Sequence, residues 1–353
     1  MEKLQFGLVG CGVIGPLHAE AIASLPDAEL RAVTDSTAER AQKLAAKYGA
    51  RAYTDLGEML TREPLDVVTI CTPSGTHGEH ACQAMRAGHH VIVEKPMEIC
   101  LPAIDEMLRV QQEMGVKLAI ISQHRFDPAS QRVRTLVDEG AFGRLVLGNA
   151  HIPWWRSQRY YDSGDWRGTW QLDGGGVLMN QSIHYIDLLQ WMMGPVKSIL
   201  AYTDTLAHRM ETEDVAVAIL RFANGALGTI SATTSAYPGL AARLEIFGDK
   251  GSAVIEGDEL GFLHLARDEK EATGDYGSGA KTSKIHSSEK DASAASNPSA
   301  LAIRSHALQI ADMIHAIRQD GTPLVDGHAA RIPVEIILSI YEAARTGKEV
   351  VLR

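Results

Sequence analysis

An α/β fold is what the sequence predicts: a doubly wound parallel sheet first, then an α+β domain built on a large, mostly antiparallel, open-faced sheet. Short apolar segments alternate with helical periods up to residue 122. After that the rhythm changes to a run of strands punctuated by turn residues. Three glycines at the first strand-to-helix junction are the third observation. With 353 residues the chain can bury two cores, and the expected division is 1–122 and 123–353.

In the first part the strands read Leu4–Val9, Leu30–Thr34, Arg51–Tyr53, Val67–Cys71, Val91–Glu94 and Leu118–Ser122. Helices lie between them, such as Ala38–Tyr48, stopped by Gly49, and His80–Ala87, stopped by Gly88. Strands alternating with helices call for parallel pairing and for ligand at the carboxyl ends of the strands.

A helix at Ala129–Glu139 opens the second part, followed by a strand near Leu145–Ile152, an aromatic loop and a long helix over Val177–Met193. Strands then read Ser198–Thr205, Val215–Phe222, Ala226–Thr233, Ala242–Phe247 and Ala253–Glu256, with Asn224-Gly225 as a hairpin turn. A sheet with one uncovered face suits burial against another subunit, so a homodimer or homotetramer through this sheet is expected. Residues 268–300, polar and without period, read as a mobile loop; helices resume at Ala302–Arg318 and Ala329–Ala344.

A formal charge of −10 argues against nucleic acid or an anionic membrane as partner. No apolar run reaches the length of a membrane span. The first residues run straight into a strand, without the pattern of a signal peptide. Cys11, Cys71, Cys82 and Cys100 show no metal-type spacing, so no metal is expected, and reduced thiols point to the cytoplasm.

The glycines are Gly10, Gly12 and Gly15, in Gly10-Cys11-Gly12-Val13-Ile14-Gly15. Set between a strand and a helix, they form the Rossmann dinucleotide fingerprint: a tight turn, a backbone that pyrophosphate can approach, and close helix packing. Phosphates then rest on the helix N-terminus. Asp35, about twenty residues further on, would accept from the ribose hydroxyls and repel a 2′-phosphate, which favours NAD. Ser36, Thr37 and Arg40 leave NADP open.

Chemistry beside a nicotinamide needs a group to move a proton and one to position the substrate hydroxyl. Glu94-Lys95-Pro96 follows the fifth strand, where a lysine would sit beside the cofactor; a plain surface lysine is the alternative. Gly174-Gly175-Gly176 leads into a helix on which Asn180 and His184, four apart, share a face. An imidazole ordinarily titrates near neutrality, so His184 suits a general base, although a hydrogen-bonded core histidine fits the same pattern.

With these residues in view, the chain resembles the glucose-fructose oxidoreductase / inositol dehydrogenase / rhizopine catabolism (Gfo/Idh/MocA) family over essentially its whole length. The resemblance rests on the glycine fingerprint, Cys71-Thr72-Pro73 with His77, Gly88-His89-His90-Val91 leading to Glu94-Lys95-Pro96, and Gly174-Gly175-Gly176 leading to His184 and Asp187. It implies nicotinamide-dependent oxidation or reduction of a sugar or cyclitol hydroxyl, with Lys95 and His184 as the catalytic pair. It also implies a cofactor site drawn from Gly10, Gly12, Val13, Ile14, Gly15, Asp35, Ser36, Thr72, Pro73, His77, Glu94 and Lys95, and it puts Arg125 near the substrate. A structural salt bridge is the other reading of Arg125. Inositol-dehydrogenase-like members carry an aspartate where this chain has Asn180, which orients substrate but takes no proton. The Met179–His184 segment, with Trp166-Arg167-Gly168 before it, is similar to members acting on the 3-hydroxyl of hexopyranosides, some of which accept nucleotide sugars.

A carbohydrate also suits the stretch from His151 to Trp170, which holds Trp154, Trp155, Tyr160, Tyr161, Trp166 and Trp170. Aromatic faces stack on sugars, and Arg156, Arg159 and Arg167 can grip a carboxylate or phosphate. Trp155, Arg156, Tyr161 and Trp166 are the substrate candidates; a subunit interface rich in the same residues is the competing reading. An NAD-dependent glycosidase that oxidises the 3-hydroxyl transiently and a non-catalytic NAD sensor are the rival functions.

Overall fold

The computed structural model describes residues 2–266 and 303–352. Residues 268–300, expected to form a mobile loop, lie outside the described residues.

Six strands make the first sheet: β1 (Leu4–Val9), β2 (Ala28–Thr34), β3 (Arg51–Tyr53), β4 (Val67–Ile70), β5 (His90–Val93) and β6 (Leu118–Ile120). They run parallel in the order β3-β2-β1-β4-β5-β6. Helices α1 (Gly15–Ser24), α2 (Ala38–Tyr48), α3 (Leu56–Arg62), α4 (His77–Arg86) and α5 (Leu101–Met114) connect them. Every residue of β4 is buried, as expected of a strand covered on both faces. Strand order reverses between β1 and β4, so the loops after these strands diverge and leave a crevice for a ligand. This is the doubly wound Rossmann arrangement that the glycines and alternation predict.

The second sheet has eight strands: β7 (Leu145–Pro153), β8 (Val196–Asp204), β9 (Val215–Phe222), β10 (Leu227–Thr233), β11 (Arg243–Gly248), β12 (Gly251–Glu256), β13 (Glu259–Leu265) and β14 (Val350–Val351). The order is β13-β12-β11-β7-β10-β9-β8-β14, and only β7 with β10 pair parallel. Gly225, at φ +89°, closes the β9–β10 hairpin. Helices α6 (Pro128–Asp138), α7 (Gln158–Tyr161) and α8 (Ile183–Met193) belong to the same half. Helix α8 approaches the sheet at Gly148, where a Cβ would lie 2.6 Å from the Met193 side chain. Among the described residues the opposite face is left uncovered and carries the exposed side chains of Leu147, Leu200, Tyr202, Val217, Ile219 and Leu227.

Three differences from the sequence-based expectation have physical causes. Strand β13 is half-buried, carries Gly261 and has no apolar alternation, and β14 is a two-residue edge strand, so neither shows a period. The helix expected from Val177 begins as a π-helical turn, Val177–Ser182, before α8 proper. The compact units are also not sequential: one takes 2–123, 170–174 and 303–334, the other 124–169, 175–266 and 335–352. Helix α9 (Ile303–Arg318) buries Ile310, Met313 and Ile314 in the core beneath α1, and Ile120 N donates to Val325 O. Gly75 N donates to Leu172 O (2.8 Å), which fastens 170–174 to the first unit. Helix α10 (Gly327–Thr346) follows. Among the described residues no helix is long and apolar enough to cross a membrane.

Candidate active site

In the first unit the site starts where β1 ends. Gly10 adopts φ +94°, a left-handed value that side chains resist, and a Cβ there would lie 2.6 Å from the Cys71 carbonyl oxygen. A Cβ on Gly15 would lie 2.2 Å from the Gly10 oxygen. At Gly12 a Cβ would meet nothing within 4 Å, and Val13 beside it is 80% exposed. The turn is sealed against protein on one side and bare on the other, which fits a pyrophosphate approaching the backbone. Ile14 O accepts from His18 N in the first turn of α1. Asp35 Oδ2 accepts from Cys11 N and Oδ1 from Thr37 N, both at 2.8 Å. A carboxylate oxygen has two lone pairs, so each retains one for a ribose hydroxyl. Ser36 is exposed beside it.

The loops after β4 and β5 are tied together. His77 Nδ1 lies 2.7 Å from Pro96 O and Nε2 lies 2.9 Å from Thr72 O. Thr72 and Pro73 thus border the cradle, whereas His77 is buried with both ring nitrogens on protein carbonyls. Direct contact between His77 and the cofactor, which the resemblance implied, has no nitrogen left to make it. Burial pushes the His77 pKa down, while the two carbonyls, Glu98 and Glu94 pull it up.

Glu94 is likewise turned inward. Its Oε1 lies 2.7 Å from His18 Nε2 and 3.6 Å from His306 Nε2, and its Oε2 accepts from Lys95 N at 2.9 Å. Burial disfavours this anion, but the two histidines outweigh it and hold the carboxyl well below the usual carboxylate range. For His18, burial opposes the charge; Cys71 and Glu94 overcome it and raise the pKa to about 10. Glu94 therefore holds the backbone of the half-buried Lys95. Nothing in the local sequence pairs His18 with His306, so this buried cluster escapes sequence reading.

In the second unit, Glu213 fixes the start of the His184 helix. Its carboxylate accepts from Gly176 N (3.0 Å), Leu178 N (2.9 Å) and Tyr341 Oη (2.9 Å), while its backbone oxygen accepts from Val177 N. A Cβ on Gly176 would lie 2.0 Å from that backbone oxygen, so only glycine permits the approach. Burial pushes the Glu213 carboxyl up to about 7 against the pull of these donors.

Asn180 is half-buried at the π turn, and its Oδ1 accepts from Gln181 Nε2 (2.7 Å). His184 is buried, its ring 5.1 Å from that of His124 and edge-on to it. His124 Nδ1 lies 2.6 Å from Asp127 Oδ2 and 3.4 Å from Asp258 Oδ1. Burial works against a charge on His124, yet Asp258, Asp127 and Asp187 push its pKa up to about 9. Arg125, expected near substrate, is instead in a buried ion pair: Nε donates to Asp187 Oδ2 (2.8 Å) and Nη2 to Oδ1 (2.5 Å). The salt-bridge reading of Arg125 is the one the geometry matches, and it also occupies Asp187.

The aromatic stretch divides. Arg156, Tyr160 and Gln181 join Asn180 in one hydrogen-bonded network, and Arg167 stacks between Tyr160 and Trp166. Tyr161 turns away to Thr234 Oγ1 (2.8 Å), and Trp155 packs edge-on against Tyr237. Trp170 falls in the first unit. Gln181 was not singled out in the sequence; its place beside Asn180 was the available signal.

Residues 4–122 match an oxidoreductase-family NAD-binding Rossmann fold, and residues 130–254 match the GFO/IDH/MocA C-terminal domain. The chain is 30% identical over 272 residues to inositol 2-dehydrogenase of Rhizobium meliloti, covering 74% of this chain and 78% of that protein. It is 35% identical over 209 residues to D-glucoside 3-dehydrogenase of Escherichia coli, covering 57% and 58%. Its structure is similar to the WlbA dehydrogenase of Bordetella pertussis, solved with NADH and UDP-GlcNAcA, with TM-score 0.87 and 34% identity over 100% of this chain and 98% of that one.

Proposed function

Because the chain belongs to the GFO/IDH/MocA family of NAD-binding oxidoreductases, we propose that it transfers hydride between NAD and a sugar hydroxyl. The substrate in this reading is a hexopyranoside or nucleotide sugar, oxidised or reduced at its 3-hydroxyl. Relatives named as a glucoside 3-dehydrogenase and an inositol 2-dehydrogenase support that class, with a cyclitol as the neighbouring choice. The observation that carries the reading is the bare cradle at Gly12, flanked by glycines that protein atoms crowd.

Gly10, Gly12, Val13, Ile14, Gly15, Asp35 and Ser36 hold the dinucleotide, with Thr72 and Pro73 on the adjoining loop. Bound there, NAD supplies the hydride acceptor or, when reduced, the donor. His184 takes the proton of the substrate hydroxyl as the carbinol C–H bond gives up its electron pair. Lys95, its backbone held by Glu94, donates to the oxygen on which charge develops. Asn180, whose Oδ1 accepts from Gln181 Nε2, orients the substrate and takes no proton. Reduction runs the same proton steps in reverse.

The sheet face bearing Val217 and Ile219 takes a second copy of the chain in this reading. Four unpaired thiols, three of them buried, support a reducing, cytoplasmic setting.

A panel of glucosides, glucuronides, UDP-sugars and inositols, each with NAD and NADP, tests the function by absorbance of the reduced cofactor. Lys95→Ala and His184→Ala should keep NAD affinity and lose at least about a hundredfold in kcat. Near-normal turnover in both variants overturns the residue roles. Release of aglycone without net cofactor reduction indicates the glycosidase instead.

A further inference from the structure

Glu213 is a buried acid that neither proton step of the reaction uses. Its Oε1 accepts from Leu178 N (2.9 Å), Tyr341 Oη (2.9 Å) and, at longer range, Gly176 N (3.2 Å), while Oε2 accepts from Gly176 N at 3.0 Å. The first N–H groups of a helix have no partner within it. Those of Gly176 and Leu178 end on the Glu213 side chain and that of Val177 on its backbone oxygen. The phenol is pressed into the same corner, since a Cβ on Gly175 would lie 2.0 Å from Tyr341 Oη. Thr212, whose hydroxyl would lie 2.9 Å from a Cβ on Gly176, is neutral. The adjacent Asp214 is turned to Leu206 N, Ala207 N, His208 N and His208 Nδ1.

What hangs on this contact is the stretch that carries the site. Asn180 N donates to Gly176 O (3.2 Å) within the π-helical turn Val177–Ser182, and α8 follows at once with Ile183 and His184. Such turns are rare and occur most often at functional sites. Protonation of Glu213 would undo the anchor. Oε1 already takes three donors, so the proton goes to Oε2, where it meets the Gly176 N–H and sets donor against donor. That N–H is then left without its acceptor in a buried place. Burial pushes the carboxyl up to about 7 against the pull of the Leu178, Gly176 and Tyr341 donors, so the anion prevails above neutrality and the acid below it.

We infer that Glu213 is a positioning residue for the reaction: as the anion it clamps the π turn and so sets the placement of Asn180 and His184, and the neutral acid releases them. This rests on the proton-transfer role given to His184 above and adds a control on it that acts through the helix.

The test compares wild type with Glu213→Gln, an isostere of the neutral acid, and with the milder Tyr341→Phe. It uses the intact protein, NAD, and whichever of methyl glucoside, UDP-N-acetylglucosamine and myo-inositol is turned over fastest. The ratio of wild-type to variant kcat is followed from about pH 5.5 to about pH 8.5, which cancels any ionisation the two proteins share. Glu213→Gln should lower kcat about 10- to 100-fold at the alkaline end, with a smaller change in KM. The ratio should fall toward unity at the acid end, where the wild-type carboxyl is neutral too. Tyr341→Phe removes a donor that favours the anion, so the acid limb of its kcat should move up by about one pH unit. Hydrogen exchange of the 176–182 backbone, corrected for the intrinsic rate, is a readout free of turnover. Wild-type protection should drop as pH falls through 7 and be low at every pH in Glu213→Gln. A ratio that stays constant with pH, or an acid limb unmoved by Tyr341→Phe, makes Glu213 a static support and overturns the inference. Should Glu213→Gln fail to fold, Tyr341→Phe decides alone. If protection follows the carboxyl but no sugar is oxidised, the clamp stands and the dehydrogenase reading falls.

Discussion

Replacing Arg125 with methionine separates the structural account of this residue from the substrate-binding one. In the structure its guanidinium makes two hydrogen bonds to Asp187, and both side chains are 3% exposed. Removing one member strips the buried Asp187 carboxylate of its bidentate partner, which costs about 3–5 kcal/mol. Stacking on Trp191, with the guanidinium carbon 5.1 Å from the ring centroid, adds about 0.5–1 kcal/mol. With a urea m-value of about 2 kcal/mol/M, the midpoint should fall by about 2 M. Tryptophan fluorescence is the assay, since Trp154, Trp155, Trp166 and Trp191 all lie in the second unit and report on its unfolding. The double variant Arg125→Met/Asp187→Leu should recover most of the loss, because no charge is then stranded. A single variant with the wild-type midpoint and a KM raised tenfold would refute the argument and return Arg125 to the substrate.

Two further expectations concern pH and assembly. His124 has its pKa raised from 6.5 to about 9, so its contribution is complete below pH 6.5 and is lost as pH rises through 9. That shift corresponds to about 3 kcal/mol, and Asp258→Asn should remove much of it. Urea midpoints at pH 6 and pH 9 that differ equally in wild type and variant would contradict this. Ile219→Lys, placed on the open sheet face, should shift the protein to a smaller species in light scattering; an unchanged mass sinks the proposed self-association.

Local chemistry made much of the molecule legible from sequence alone. Alternation of apolar strands with helices set out the six parallel strands, and β1, α2, β3 and β9 begin and end at the residues expected. The turn at Asn224-Gly225 was equally readable, because a left-handed glycine is a local requirement. Strands β13 and β14 were not, since a half-buried edge leaves no clear period.

By itself the sequence determined the glycine turn at Gly10–Gly15 and the alternation of strands and helices in the first part, which follow from neighbours a few positions apart. Only the tertiary structure decided that Arg125 meets Asp187, that His18 and His306 close on Glu94, that Glu213 holds the entry to the His184 helix, and that residues 303–334 complete the first unit. A buried polar group takes whichever partner chain packing delivers, and the cost of leaving it unpaired is met between residues distant in sequence. Periodicity reports which face of an element is buried; it carries no record of the side chain that waits on the other side.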